Sequence, residues 1–191
     1  MVIAQVTEMI LKILFFIFIG ALNTSHEFNR TDTVYYSDKG YVKFTSGVPL
    51  HTFSGESNHL TGMIDFKENI VDFYVDLNTL KTGIGKRDRD MYKTLNTSDH
   101  PFAEFTGSLT DTDFDLSKDS VTIVAEGTFT LNGMNRELSV DGSLMKENDN
   151  IILKARWEIP LSKYNIEPPG VLFYRVDEVQ KVMIEVILEP A

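Results

Sequence analysis

From Phe28 onward, apolar residues recur mainly at every second position rather than at helical spacing. Alternation of this kind predicts β-strands with one face in a core and the other in water. The clearest example is Val121–Leu131, where apolar side chains and Gly127 share one face and Thr122, Glu126 and Thr128 lie on the other. The other segments with this pattern are Val34–Tyr36, Val42–Phe44, Ile64–Phe66, Val71–Leu77, Ala103–Leu109, Leu138–Leu144, Ile151–Ile159 and Val182–Leu188. The pattern therefore predicts eight or nine strands.

Most connections between these segments are short. Asn132-Gly133 supplies the two positive-φ positions of a type I′ turn, and Glu147–Asn150 closes the next hairpin, so neighbouring strands are predicted to be antiparallel. Two connections are longer. Gly83–Pro101 includes a stretch, Lys86–Leu95, that is compatible with a short helix, and Leu161–Val176 contains a Pro-Pro-Gly sequence. Each is expected to cross an end of the sheet.

An antiparallel sheet of about eight strands buries its apolar faces and removes its exposed edges by closing into a barrel. At this size the interior is either filled by side chains or just wide enough for one ligand. The inward positions of the segments above carry no charged residue, so a ligand held there must be apolar. The prediction is an all-β antiparallel barrel with one short helix in a crossing loop.

Composition narrows the function. A chain of 191 residues is long enough for a single well-buried core. The net charge of −10, without a basic patch, argues against nucleic-acid binding. The absence of cysteine excludes disulfides, thiolate nucleophiles, cysteine-bound metals and a lipoprotein anchor.

The N-terminus resembles an export signal. An apolar run, Ile10–Leu22, is interrupted only by Lys12 and is followed by polar residues. The ten residues from Ile13 span about 15 Å of helix, about half of a hydrocarbon core. We therefore expect a signal peptide at residues 1–25, a barrel domain at residues 26–191, a periplasmic or secreted location, and no stable membrane anchor after cleavage. An uncleaved anchor and a later start at Met9 are the alternatives.

Five segments follow one another along the chain in a characteristic order: Val71–Gly83, Lys86-Arg87-Asp88 with Met91, Asp99–Gly107, the hairpin Gly127–Leu138, and Leu161–Ile166. Together they resemble the YceI-like family. The resemblance extends from about Thr33 to the C-terminus. It implies an elongated lipocalin-like barrel that binds, sequesters or transports a polyisoprenoid or other long-chain lipid, and it is compatible with a homodimer.

The residues expected to line the lumen are apolar and lie on the inward faces of the strands. They are Phe44, Phe73, Val75, Phe105, Ile123, Phe129, Val140, Leu153, Trp157 and Ile184. Lys86, Arg87 and Arg89 are candidate contacts for an anionic head group. The alternative is that Arg87 and Asp88 form a structural ion pair and the other charges are solvated. In the second long connection, Tyr164, Ile166, Leu172, Phe173 and Tyr174 suggest a plug or lid that packs on the barrel.

The sequence offers no support for catalysis. Asp111, Asp113 and Asp115 begin like a calcium loop, but Leu116 and Thr122 occupy the positions that need Gly and Glu. No phosphate loop, nucleophile elbow or metal-binding histidine pair is present in the sequence. We expect no cofactor, metal or catalytic residue. The alternatives to lipid binding are a filled barrel acting as a structural or protein-interaction module in the cell envelope, and, less favoured, a hydrolase or isomerase.

Overall fold

The structure is a computed structural model that describes residues 34–48, 51–168, 170–171 and 174–191. The proposed signal peptide and two residues of the suggested plug, Leu172 and Phe173, lie outside these ranges. Within the described part of the chain, no helix has the length and apolar character needed to cross a bilayer.

Eight long strands close into an antiparallel barrel, and two short strands form a separate hairpin, β8–β9. The strands are β1 Val34–Val48, β2 His51–Asp65, β3 Ile70–Asp76, β4 Phe102–Leu109, β5 Val121–Leu131, β6 Met134–Glu147, β7 Asn150–Pro160, β8 Gly170–Val171, β9 Tyr174–Arg175 and β10 Val179–Pro190. Their order around the barrel is β1-β10-β7-β6-β5-β4-β3-β2. Helix α1 spans Gly85–Thr94, and 3₁₀ turns lie at Leu77–Thr79 and Leu161–Tyr164. The predicted fold class is confirmed.

The tight turns follow from residues that tolerate left-handed backbone. Asn132 and Gly133 have φ values of 49° and 70° and join β5 to β6 as the type I′ turn predicted from the sequence. Asn148, with φ of 57°, occupies the two-residue loop between β6 and β7. These turns fix the register in which Ala125 faces Val140 and Leu144 faces Leu153.

The two ends of the barrel differ because successive connections alternate between them. One end carries residues 66–69, 110–120 and 148–149. It is filled by large side chains at or below 1% exposure: Ile64, Leu144, Ile151, Val186 and Leu188. Phe66 packs edge-to-face against both Tyr35 and Phe114 at ring distances of 5.7 and 5.8 Å. We call this the closed end.

The opposite end carries the two long connections, residues 77–101 with helix α1 and residues 161–178, together with the β5–β6 turn. Leu77, Leu80 and Leu161 are buried there, whereas Ile84, immediately before α1, is 54% exposed. We call this end the mouth. Crossing connections and strand ends surround this end, while the large side chains at or below 1% exposure lie towards the closed end.

Candidate ligand-binding cavity

A cavity of about 1360 Å³ occupies the barrel interior. It extends from Ile64, Leu109 and Leu153, next to the packed closed end, to helix α1 and residues 165–168 at the mouth. Sites for drug-sized ligands usually measure about 300–1,000 Å³. The interior is therefore not filled by side chains, and its volume suits a ligand larger than a typical small molecule.

Small residues at inward positions create this space. Ala103, Ala125, Gly142 and Ala155 all line the cavity, on four different strands. Ala125 lies opposite Val140, and Gly142 lies between Ile123 and Ala155 in the sheet register. Each of these residues has one side-chain carbon or none, whereas a leucine in the same position would place four carbons in the lumen. The barrel wall is thus complete while its centre stays open.

All ten predicted lumen residues line the cavity. They come from seven strands and include the aromatic side chains Phe44, Phe73, Phe105, Phe129 and Trp157, with Val75, Ile123, Val140, Leu153 and Ile184. The rings of Phe129 and Trp157 meet edge-to-face at 6.2 Å. Sequence alternation missed other lining residues, among them Phe53 and Leu60 on β2 and Gln180 on β10. The wall contributed by the strands is predominantly hydrocarbon.

Charged lining residues are confined to the mouth. They are Lys86, Arg87, Asp90, Lys93 and Glu167. The first four belong to helix α1, and the helix turns Lys86, Asp90 and Lys93 towards the cavity because these residues are three or four positions apart. An apolar chamber therefore ends at an opening with three cations and two carboxylates.

Arg87 and Asp88 anchor the start of α1 through a shared partner rather than through a direct pair. The Arg87 guanidinium donates to the Thr82 carbonyl oxygen at 2.7 Å and lies over the Phe53 ring, 4.9 Å from its centroid. The Asp88 carboxylate accepts hydrogen bonds from the hydroxyl and the backbone N–H of Thr82. The hydrogen bond from the Thr82 hydroxyl makes the largest contribution to lowering the pKa of Asp88, and the bond from the Thr82 backbone N–H makes the second largest. Arg87 and Asp88 therefore have the structural role suggested from the sequence, but each of them bonds Thr82 rather than the other.

The three predicted head-group residues separate in the structure. Lys86 and Arg87 line the cavity, whereas Arg89 is exposed and is not among the lining residues. Lys93, which was not among the predicted residues, occupies the same cavity-facing side as Lys86. Their separation of seven residues, two helical turns, is the signal that could have identified Lys93.

The second long connection packs into the mouth. Tyr164 and Ile166 are buried, and the Tyr164 ring meets that of Phe129 edge-to-face at 5.7 Å. Asn132 donates from its side-chain amide to the Tyr164 carbonyl oxygen at 3.0 Å. Burial raises the pKa of the Tyr164 hydroxyl. Glu167 and Pro168, immediately downstream, line the cavity, so the connection both packs on the barrel and borders the opening.

The cavity is better suited to holding a ligand than to catalysing a reaction. Among the lining residues, the carboxylates and amines all lie at the mouth, in contact with water, and the interior wall has no carboxylate or amine. Within the described ranges, no three His, Asp or Glu side chains come together in a group that could hold a metal ion. The cavity can bury a long apolar molecule and leave its polar end near α1.

The fold and cavity define a lipocalin-like barrel with a large apolar lumen, and comparisons with known proteins agree with the fold. A sequence model of the YceI-like domain matches residues 35–188. The chain belongs to the YceI-like family.

Solved structures share the architecture at low sequence identity. A polyisoprenoid-binding domain from Saccharophagus degradans, implicated in plant cell wall breakdown, is 16% identical, covers 83% of this chain and 98% of its own, and has a TM-score of 0.69. BcnA from Burkholderia cenocepacia is 12% identical, with coverages of 78% and 96% and a TM-score of 0.66. A YceI protein from Campylobacter jejuni is 17% identical, with coverages of 72% and 84% and a TM-score of 0.56. No curated protein matches the sequence.

Proposed function

We propose that the protein binds a polyisoprenoid or another long-chain apolar lipid in its lumen and sequesters or transports it without catalysing a reaction. The observation that carries this proposal is the cavity of about 1360 Å³ with a hydrocarbon wall, closed at one end and open at the other. Family membership and the fold shared with a polyisoprenoid-binding domain support a binding role for an apolar ligand.

The energetics of such binding need no reactive group. A lipid tail that buries about 400 Å² gains about 10 kcal/mol at ~25 cal/mol per Å². Association costs an estimated 4–15 kcal/mol, so a longer tail or a good fit brings the balance to useful affinity. A wall of aromatic and branched aliphatic side chains, such as Phe73, Phe105 and Ile123, supplies this contact without directional bonds.

The ligand is proposed to enter with its tail towards the closed end. The polar end then lies at the mouth, where Lys86 and Lys93 project from one side of α1. Arg87 also borders the cavity, but its guanidinium is already engaged by Thr82 and Phe53. A phosphate or carboxylate head group would therefore be held mainly by the two lysines, with Arg87 as a neighbouring positive charge.

Export to the periplasm or the outside of the cell is part of the proposal. Its support is the apolar run Ile10–Leu22, whose length suits a signal peptide rather than a membrane span. The boundary at residue 25, the absence of a membrane anchor after cleavage, and a homodimer stay predictions.

Native mass spectrometry tests ligand binding directly. Protein purified without added lipid should carry an adduct of lipid mass that is released on denaturation, and chromatography of the extract should show a long apolar chain. Repeated preparations with no adduct, and no uptake of added polyprenol, would contradict the proposal.

The head-group assignment has its own test. The double variant Lys86→Gln/Lys93→Gln should bind a polyprenyl phosphate more weakly than wild type while its affinity for the uncharged polyprenol is unchanged. Lys39→Gln, an exposed lysine on β1 away from the cavity, is the matched control. Equal weakening for both ligands would show that the lysines do not recognise the head group.

A further inference from the structure

Formal charge is distributed unequally between the two ends of the barrel. The connections at the closed end, residues 66–69, 110–120 and 148–149, contain two basic and six acidic residues. Residues 77–101, which carry α1 across the mouth, contain five basic and three acidic residues. One acidic residue of these three, Asp88, is buried and hydrogen-bonded to Thr82. A protein with a net charge of −10 thus has a locally positive side at its opening.

The acidic residues in the connections at the closed end lie too far from the mouth to cancel its positive potential at physiological salt. Strands β5 and β7 have 11 residues each. At a rise of ~3.3 Å per residue and a tilt of ~40°, the barrel wall spans about 28 Å along its axis. The Debye length at physiological ionic strength is about 8 Å. A surface approaching the mouth therefore responds mainly to α1 and its neighbours.

The positive side also exposes an apolar residue. Ile84, which precedes the helix, is 54% exposed, and Lys81, Lys86, Arg89 and Lys93 of the same connection are exposed as well. Residues 161–178, the other long connection at the mouth, contain two basic and three acidic residues, the acidic ones being Glu167, Asp177 and Glu178. Basic side chains with an exposed aliphatic one are the combination that associates with anionic lipid surfaces.

We propose that helix α1 and Ile84 form a docking surface for an anionic phospholipid bilayer, which brings the cavity mouth against the membrane. This inference rests on the proposed lipid-binding function, because docking mouth-first shortens the path of an apolar chain through water. Contact is made on the α1 side, and the 161–178 side, which has more acidic than basic residues, tilts away. Arg89, exposed and outside the cavity lining, contacts the lipid surface while Lys86 and Lys93 also face the lumen.

Vesicle co-sedimentation tests docking separately from lipid loading. Full-length protein should bind phosphatidylcholine vesicles that contain phosphatidylglycerol, bind phosphatidylcholine alone poorly, and dissociate as salt is raised. Because each basic residue near such a surface contributes a factor of about five, Arg89→Glu should weaken binding at least about fivefold. Arg89→Lys should retain it, and Lys39→Glu, with the same charge change nearer the closed end, should bind like wild type.

Native mass spectrometry of the same samples reports the bound lipid. Loss of vesicle binding by Arg89→Glu with unchanged lipid content supports docking. Equal losses for Arg89→Glu and Lys39→Glu would indicate an effect of net charge and overturn the inference. Wild-type protein that carries lipid but does not prefer anionic vesicles would overturn docking and leave the proposed function standing.

Discussion

Replacing Ala125 with phenylalanine should separate ligand affinity from protein stability. Ala125 lies midway along β5, pairs with Leu109 and Val140, and lines the cavity with its methyl group. Its side chain points into a cavity of about 1360 Å³, so a ring added there has room to extend. The ring would occupy part of the path available to a lipid tail.

The size of the effect follows from contact area. A phenylalanine side chain buries about 150–250 Å², and a tail excluded from that space loses a comparable contact. At ~25 cal/mol per Å², the upper limit is about 4–6 kcal/mol. A flexible chain can bend around the ring and recover about half of this, so we expect binding to weaken about 30- to 140-fold. The ligand-free protein should be as stable as wild type or more so, because the ring adds contacts without displacing a packed side chain.

Two measurements on one sample check this prediction. Displacement of a fluorescent apolar probe gives the affinity, and thermal unfolding of delipidated protein gives the stability. Thr122→Phe is the matched control, since Thr122 lies on the same strand and its side chain is exposed. If Ala125→Phe bound lipid with wild-type affinity and stoichiometry, the lumen would not be the binding site and the reasoning would fail.

Three further predictions concern the closed end, a strand contact and the anchor of α1. Leu144→Ala, at 0% exposure, should lower the free energy of unfolding by about 2–5 kcal/mol, measured by urea denaturation. Gly127→Ala should cost about 1–3 kcal/mol because its methyl group would overlap backbone atoms of β4, while Gly85→Ala, whose nearest neighbour would be 3.8 Å away, should be neutral or stabilising. Because Thr82 lowers the pKa of Asp88, the α1 anchor should be complete above the ordinary carboxyl pKa of 3.8 and weaken as pH falls through the lower folded value. Hydrogen exchange of the α1 amides should show this loosening only in strong acid. Asp88→Asn should remove the pH dependence. Loosening of the wild-type helix near pH 6 would contradict the prediction.

Strand alternation and turn chemistry predicted most of the barrel. The exception is the first part of β2, His51–Met63, which the pattern did not identify. Its inward positions include Gly55, which lies against the Phe44 ring, and Ser57, which bonds the Thr79 hydroxyl at 2.6 Å. Small and polar residues at buried positions interrupt the alternation, because the contact that buries them comes from a distant part of the chain.

The ten residues predicted to line the lumen do line it, but Phe53 and Leu60 on β2 were missed, and the volume of the lumen could not be predicted. Alternation indicates which side chains face inward, whereas the space left over depends on how Ala125, Gly142 and Ala155 face one another across the strands. The mouth was least predictable. Which side of α1 faces the opening depends on bonds from Thr82 and on the Phe53 ring, and neither follows from local sequence.

The first and last residues of the described barrel, Val34 and Ala191, lie side by side. The Ala191 backbone N–H donates to the Val34 carbonyl oxygen at 2.8 Å, and both residues lie at the closed end. A linker, reporter or solid support attached at Ala191 would therefore project away from the opening. Molecules immobilised in that way would all present their entrances to the solution, which makes the protein suited to single-orientation sensor surfaces.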